Sequence, residues 1–176
     1  MIETERLLLI PATEELLRTL MASEAELAEM LGAQPANGWL IFPESIPYTL
    51  NMLKDPANTG WAMHFIVERT QNELIGCGGY KGAPDGSGMV EFGYSVAPCR
   101  ENRGYATEAA KGFIGHAFSM PQIKIVDAHT LAERNASTSI LLKCGLTKIA
   151  EKNDPEDGPI WHWRLFREDY VPNKSK

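Results

Sequence analysis

Residues 91–108 read Glu91-Phe-Gly-Tyr-Ser-Val-Ala-Pro-Cys-Arg-Glu-Asn-Arg-Gly-Tyr-Ala-Thr-Glu108, and the rhythm changes within them. Residues 90–96 suit a strand, which Pro98 closes. A short polar loop follows. From Ala106 the apolar residues Ala109, Ala110, Phe113, Ile114, Ala117 and Phe118 recur at helical spacing, the most regular helix signal in the chain. A helix N-terminus carries unpaired N–H groups and the positive end of the backbone dipole, so it suits a phosphate. Gly104 and Ala106 leave the backbone open to such a group, Arg103 adds a cation and Thr107 a hydroxyl. An ordinary loop capping a helix would carry much the same residues, so the physics alone leaves both readings open.

Working outward, strands are expected over residues 6–10, 61–67, 74–80, 124–130, 146–151 and 160–166, besides 90–96. Thr13 is placed to cap a helix bearing Leu16, Leu17, Leu20 and Met21. Ser23 and Glu26 have capping-box spacing before a second helix that stops near Gly32. The Pro- and Gly-rich stretch 33–60 leaves room for one short helix over residues 46–54. Another is expected from about Asn135 to Lys143, ending at Gly145. The order is strand, helices, three strands, helix, strand, helix, two strands. That describes an α/β (α+β) fold with a mixed central sheet, not an evenly alternating doubly wound one.

Composition is ordinary for a globular chain, with 44% hydrophobic and 23% charged residues among 176. One domain over residues 1–172 is expected, with 173–176 as a frayed tail. The net charge of −6 argues against nonspecific nucleic-acid binding, which needs cations to neutralise phosphates, and favours cationic substrates. No apolar run is long enough for a membrane span, and the start lacks the basic and apolar runs of a signal peptide. Cys77, Cys99 and Cys144 lack paired spacing, so we expect reduced thiols, no metal site and a cytoplasmic protein.

The stretch resembles the acetyl-CoA motif of the GNAT N-acetyltransferases, written [Q/R]-x-x-G-x-[G/A], with Glu101-Asn102-Arg103-Gly104-Tyr105-Ala106 at its six positions. The flanking words EFGYSVAP and RGYATEAA are similar to those of RimJ/RimL-like members. Glu101 departs from the usual Gln or Arg. A carboxylate pointing at a pyrophosphate is unfavourable, so Glu101 is expected to contribute backbone alone. A second segment, residues 132–146, resembles the family's N-x-[AS]-S…K-x-G-F, with Asn135 at the asparagine that steadies the pantetheine arm. Leu146 replaces the usual Phe. ETERLLL near the N-terminus and VERTQNELIGCGGY also fit, so the resemblance spans nearly the whole chain.

The resemblance implies a sheet whose fourth and fifth strands splay, with pantetheine in the gap. Backbone groups of Tyr94, Ser95 and Val96 would pair with its amides, as in strand addition. It implies direct transfer of the acetyl group of acetyl-CoA to a primary amine, of a protein N-terminus or a small molecule, by a monomer or homodimer. The reaction needs a neutral amine, a polarised carbonyl and a proton for the thiolate. Candidate bases are Glu91 on the fourth strand, and Asp127 and His129, which share a face of the fifth. A solvated carboxylate and a structural histidine are the plainer readings of Glu91 and His129. The tyrosine that many members use as acid is Leu141 here, so Ser137 is the candidate for thiolate protonation, or else a helix-capping serine.

Other signals are weaker. Gly76-Cys-Gly-Gly-Tyr-Lys-Gly82 fails the dinucleotide-loop spacing, and no G-K-[S/T] follows, which disfavours a nucleotide-binding protein. Trp39, Phe42, Tyr48, Trp161 and Trp163 are candidates for the acceptor-pocket wall or for core packing. The rival to an enzyme is a degenerate GNAT-fold module that binds CoA as a sensor; Leu141 and Glu101 favour it.

Overall fold

The computed structural model describes residues 1–155 and 157–172; the expected frayed tail lies outside the described residues. In chain order the strands are β1 (Ile2–Glu3), β2 (Leu7–Pro11), β3 (Gln34–Pro35), β4 (Met63–Glu68), β5 (Glu73–Tyr80), β6 (Met89–Val96), β7 (Ile125–Leu131), β8 (Thr147–Asp154) and β9 (Gly158–Phe166). The helices are α1 (Glu14–Ala22), α2 (Glu24–Leu31), α3 (Ser45–Met52), α4 (Tyr105–Ser119) and α5 (Ala136–Lys143). The strands run β1-β2-β4-β5-β6-β7-β9-β8 across one mixed sheet, and β3 pairs with β5 off that path.

The capping signals work as read. Thr13 accepts from the Leu16 N–H, Ser23 accepts from the Glu26 N–H, and Gly32 ends α2 in the left-handed conformation. Asn135 caps α5 and exchanges bonds with Thr138, whose hydroxyl accepts from the Asn135 N–H. The two-residue strands β1 and β3 are too short to show a period, so sequence periodicity misses them. Alternation locates β4 but not its burial. All six of its residues are buried, with Phe113 of α4 against His64 on one face and Trp39 against Phe65 on the other.

On one face α4 buries Ala109, Ala110, Phe113, Ile114, Ala117 and Phe118. Phe113 meets the rings of His64, Tyr80 and Phe92, and the Tyr80 hydroxyl donates to the Phe113 carbonyl at 2.7 Å. Trp39 packs on Phe65 on the opposite face, its indole N–H reaching Glu24. Burying one such aromatic side chain contributes roughly 2–3 kcal/mol.

The sheet changes character at β6. Its Phe92–Val96 portion pairs antiparallel with β5. Its parallel pairing with β7 covers only Met89–Glu91 against Ile125–Asp127. Beyond Glu91 and Asp127 the two strands separate. The splayed strands that the sequence counts as fourth and fifth are therefore β6 and β7.

Candidate active site

A cleft of about 1140 Å³ occupies the gap between β6 and β7. Its floor includes Gly93, Tyr94, Ser95 and Val96 of β6, with Ala128, His129 and Thr130 of β7 opposite. One end is the loop before α4, and the wall beyond it includes Ser137 and Leu141 of α5.

The backbone of β6 alternates between its two neighbours. The Lys81 N–H donates to the Glu91 carbonyl and the Ala97 N–H to the Ile75 carbonyl. In an antiparallel ladder this assigns the backbone groups of residues 91, 93, 95 and 97 to β5. Tyr94 and Val96 thus turn their N–H and C=O toward the cleft, and Ser95 does not. The expectation that Ser95 offers free backbone groups to the gap is corrected by this register. Its hydroxyl is engaged by Cys77.

The loop from Pro98 to Gly104 is pinned from outside. Arg100 forms a two-bond ion pair with Glu73 at 2.5 and 2.6 Å. Arg6 donates to the Arg103 carbonyl at 3.0 Å, packs over the Tyr105 ring and bridges to Glu108 at 2.7 Å. These ties use positions in β5 and before β2, far away in sequence. Gly104 caps α4 at φ 82° with no side-chain bond, so the first-turn N–H groups of the helix stay open toward the cleft. Glu101, Asn102, Gly104, Tyr105, Ala106 and Thr107 line this end. Arg103 does not line it and is exposed. Glu108, an acid in the first helical turn, is taken up by Thr4 and Arg6. Burial opposes ionisation of its carboxyl, but those partners hold it below the usual carboxylate range.

Asn135 also lies off the cleft, with its side-chain oxygen spent on capping α5 through the Thr138 N–H at 3.0 Å. Ser137 lines the cleft. The Tyr94 hydroxyl is the one buried side-chain polar atom without a hydrogen bond of normal geometry among the described residues. Burial pushes its ionisation far up, the nearby Cys144 thiol adds to that, and the Ser137 hydroxyl opposes it.

At the fork itself, Glu91 Oε1 takes the Lys81 ammonium at 2.5 Å and His129 Nδ1 at 2.9 Å. Burial would raise the Glu91 carboxyl, but Lys81 and then His129 outweigh it and keep it below the ordinary carboxylate range. Glu91 does not line the cleft; His129 does. The His129 ring stacks on His162 with centroids 4.5 Å apart. His162 Nε2 meets Asp127 Oδ2 at 2.6 Å, and Arg164 grips the same carboxylate at 2.7 and 2.8 Å. Asp127 is 2% exposed and off the cleft, so its carboxylate anchors β7 to β9 instead of facing a substrate. Burial raises its carboxyl less than Arg164 and His162 lower it.

Of the five aromatic candidates, Phe42 and Tyr48 line the cleft mouth with Ile41 and Met52. Trp39 and Trp163 are core residues, the latter donating to Thr130 at 3.0 Å. Trp161 lies under the Lys148 ammonium, off the cleft. No group of metal-ligating side chains occurs among the described residues. No helix there is long and apolar enough to cross a membrane.

Residues 6–147 match the family model described as an acetyltransferase (GNAT) domain. An uncharacterised N-acetyltransferase of Bacillus subtilis, YjdG, is 29% identical over 148 residues, covering 82% of this chain and 88% of that protein. Two solved structures share the fold. One is RimL, a ribosomal L7/L12 alpha-N-protein acetyltransferase in complex with coenzyme A (TM-score 0.68, 14% identity, 93% and 95% of the two chains covered). The other is a spermidine N-acetyltransferase chimera from Vibrio cholerae and hSSAT (TM-score 0.67, 16% identity, 94% and 98% covered). With a splayed β6–β7 pair, an open helix start at its mouth and a family match over most of its length, this chain belongs to the GNAT acetyltransferases.

Proposed function

We propose that the protein transfers the acetyl group of acetyl-CoA directly to a primary amine, of a protein N-terminus or a small molecule, as one domain over residues 1–172 of the RimJ/RimL-like branch. The observation that carries this reading is the fork. Tyr94 and Val96 turn unpaired backbone groups into a cleft that ends at the open N-terminus of α4.

In this reading the first-turn N–H groups of α4, with Gly104, Tyr105, Ala106 and Thr107, hold the pyrophosphate, and the backbone of Glu101 and Asn102 borders it. Arg103 is exposed, and it contributes charge near the phosphates rather than a wall of the cleft. Tyr94 and Val96 pair with the pantetheine amides, and a backbone N–H of this stretch polarises the thioester carbonyl. Asn135 acts by capping α5 and so fixing Ser137 at the cleft. Glu91 and Ser137 handle protons at the two ends of the reaction. Ser137 and the buried Tyr94 hydroxyl face the side where the thiolate would leave. The acceptor enters past Phe42 and Tyr48, an apolar mouth that suits an amine on an apolar body.

The test is thermal. A ligand that binds only the folded state raises the melting temperature. Acetyl-CoA at millimolar concentration is expected to raise it, and NAD is not. Equal stabilisation by NAD, or none by acetyl-CoA, would contradict the reading. Thiol release with a panel of amines then separates an active enzyme from a CoA-binding module.

A further inference from the structure

We propose that His129 is the group that takes the proton from the acceptor amine, and that Glu91 is its positioning residue. The inference rests on the acetyl-transfer reading and divides its labour.

Exposure to the cleft separates the two side chains. His129 lines it and Glu91 stands behind, saturated by Lys81 and by His129 itself. An ionised carboxylate can only accept, so the His129 Nδ1 bonded to it carries a proton, and in the neutral ring Nε2 keeps the lone pair. Nε2 has no hydrogen-bond partner among the described residues. It is not a buried orphan either, since the Tyr94 hydroxyl is the sole atom of that kind there. The lone pair is therefore open to whatever enters the cleft. The ring cannot swing freely, because the His162 ring stacks on it at an interplanar angle of 23° and is itself fixed by Asp127.

The position along the cleft is also right. Glu91 and Asp127 are the last paired residues of the fork, so Gly93 and His129, two residues further along each strand, face each other at the first open step on the Glu91 face of the sheet. A Cβ at Gly93 would meet nothing within 4 Å, so there is free space beside the imidazole. A chain anchored by phosphates at α4 and running down β6 past Val96 and Tyr94 ends at that step. The charged and titratable groups facing His129 are Glu91 from β6, Lys81 from beyond β5, Asp127 on its own strand, and His162 with Arg164 from β9. They are grouped as Lys81 with Glu91 and as Arg164 with Asp127 and His162, each acid with a cation beside it.

The step balances as follows. The amine nitrogen attacks the acetyl carbonyl carbon and a C–N bond forms. The C–S bond breaks and CoA leaves as a thiolate. The surplus proton on nitrogen passes to His129 Nε2, and the resulting imidazolium is stabilised by Glu91 through Nδ1–H. The thiolate takes a proton from solvent, directly or through Ser137, which solvent then reprotonates, and His129 returns its proton to solvent. The products are the amide and free CoA thiol.

Two measurements test it. Nitrogen-15 NMR of the imidazole reads the tautomer without any acceptor. With its ring neutral, His129 is expected as the Nδ1–H form, and Glu91→Gln is expected to weaken that preference. A dominant Nε2–H form in the parent would overturn the proposal. The second is a pH–rate profile at saturating acetyl-CoA with spermidine and an alanyl peptide as amines. His129→Gln is expected to lower kcat by about 10²–10⁴-fold with the acetyl-CoA Kd unchanged, the usual range for a lost general base. Glu91→Gln is expected to lose less, since it removes the partner that orients the ring and leaves the lone pair in place. A His129→Gln enzyme within threefold of the parent and with the same acid limb would overturn it. If the parent binds acetyl-CoA but turns over neither amine, that result counts against the acceptor classes in the acetyl-transfer reading. The tautomer measurement still decides the role of His129.

Discussion

Along one edge β6 is zipped to β5 over Phe92–Val96, while along the other it meets β7 only from Met89 to Glu91. The zipped edge is tight. Gly76 lies so close to β6 that an added Cβ would strike the Ser95 carbonyl oxygen. Behind this edge α4 and its aromatic residues cover the sheet, and His64 is buried there at 2% exposure. The open edge has the opposite chemistry. It is backed by the ion-paired ladder of Lys81, Glu91, His129, His162, Asp127 and Arg164. The two histidines show the difference. Burial lowers His64 to about 4, although its bond to the Ala62 carbonyl opposes this, so it is a neutral packing residue at pH 7. His129 has a carboxylate on one nitrogen and the cleft on the other. One strand therefore joins a rigid half of the sheet to a binding half, and the sorting is done by what faces each edge.

The largest effect is expected at the tight edge. Gly76→Ala forces a side chain into backbone, which cannot move aside as a flexible side chain would. A stability loss above about 3 kcal/mol in denaturant unfolding is expected, at or beyond the upper end for overpacking. A variant as stable as the parent would mean that the edge is looser than described.

Acid should also find the closed half first. The folded pKa of His64 is about 4 and that of a free histidine about 6.5. The unfolded chain thus binds more protons between those values. Stability is full above about pH 6.5 and falls as pH drops toward 4, by up to about 3 kcal/mol. His64→Phe is expected to flatten the slope of unfolding free energy against pH over that window. An unchanged slope would relieve His64 of the effect.

At the mouth of the open half, Gly104 has φ +82°. Gly104→Ala is expected to cost about 1–2 kcal/mol from the left-handed backbone alone. The acetyl-CoA Kd should rise as well, because the added methyl group meets Arg6 Nη2 at 3.4 Å and disturbs the tie that pins the loop at the helix start. A branched residue such as valine is a poorer test, since strain and blocked binding would then be confounded. Melting curves with and without acetyl-CoA separate the two, and an unchanged Kd would detach this glycine from the phosphates.

Gly93→Ala completes the contrast with Gly76. It meets open space, so a stability change within about 0.5 kcal/mol is expected, the range of an uncrowded surface change. Turnover is expected to fall, because the methyl group enters the fork beside His129. Normal turnover would place the reacting atoms elsewhere.

Much of this was legible in the sequence, for physical reasons. Caps and periods are local, so Thr13, Ser23 and Asn135 marked helix starts, and the apolar spacing from Ala106 marked α4. The strand–loop–helix join at residues 91–108 located one end of the cleft. What is long-range was hidden. Nothing local tells that Glu91 meets His129, 38 residues away, or that Arg6 and Glu73 pin the phosphate-side loop. Alternation in β4 could not reveal cover on both faces. The parity that turns Tyr94 and Val96 toward the cleft, and Ser95 away from it, depends on pairing with β5. Trp39 and Trp163 stayed open between pocket wall and core, because aromatic character suits both.

The most direct test is site-resolved amide hydrogen exchange on the intact protein with and without saturating acetyl-CoA. Gly93 and Ser95, bonded to β5, are expected to exchange slowly in both states. Tyr94 and Val96, turned to the fork, are expected to exchange faster in the free protein and to slow markedly when acetyl-CoA is bound. If acetyl-CoA binds and the Tyr94 and Val96 amides do not slow, the fork between β6 and β7 is not where the acetyl donor lies.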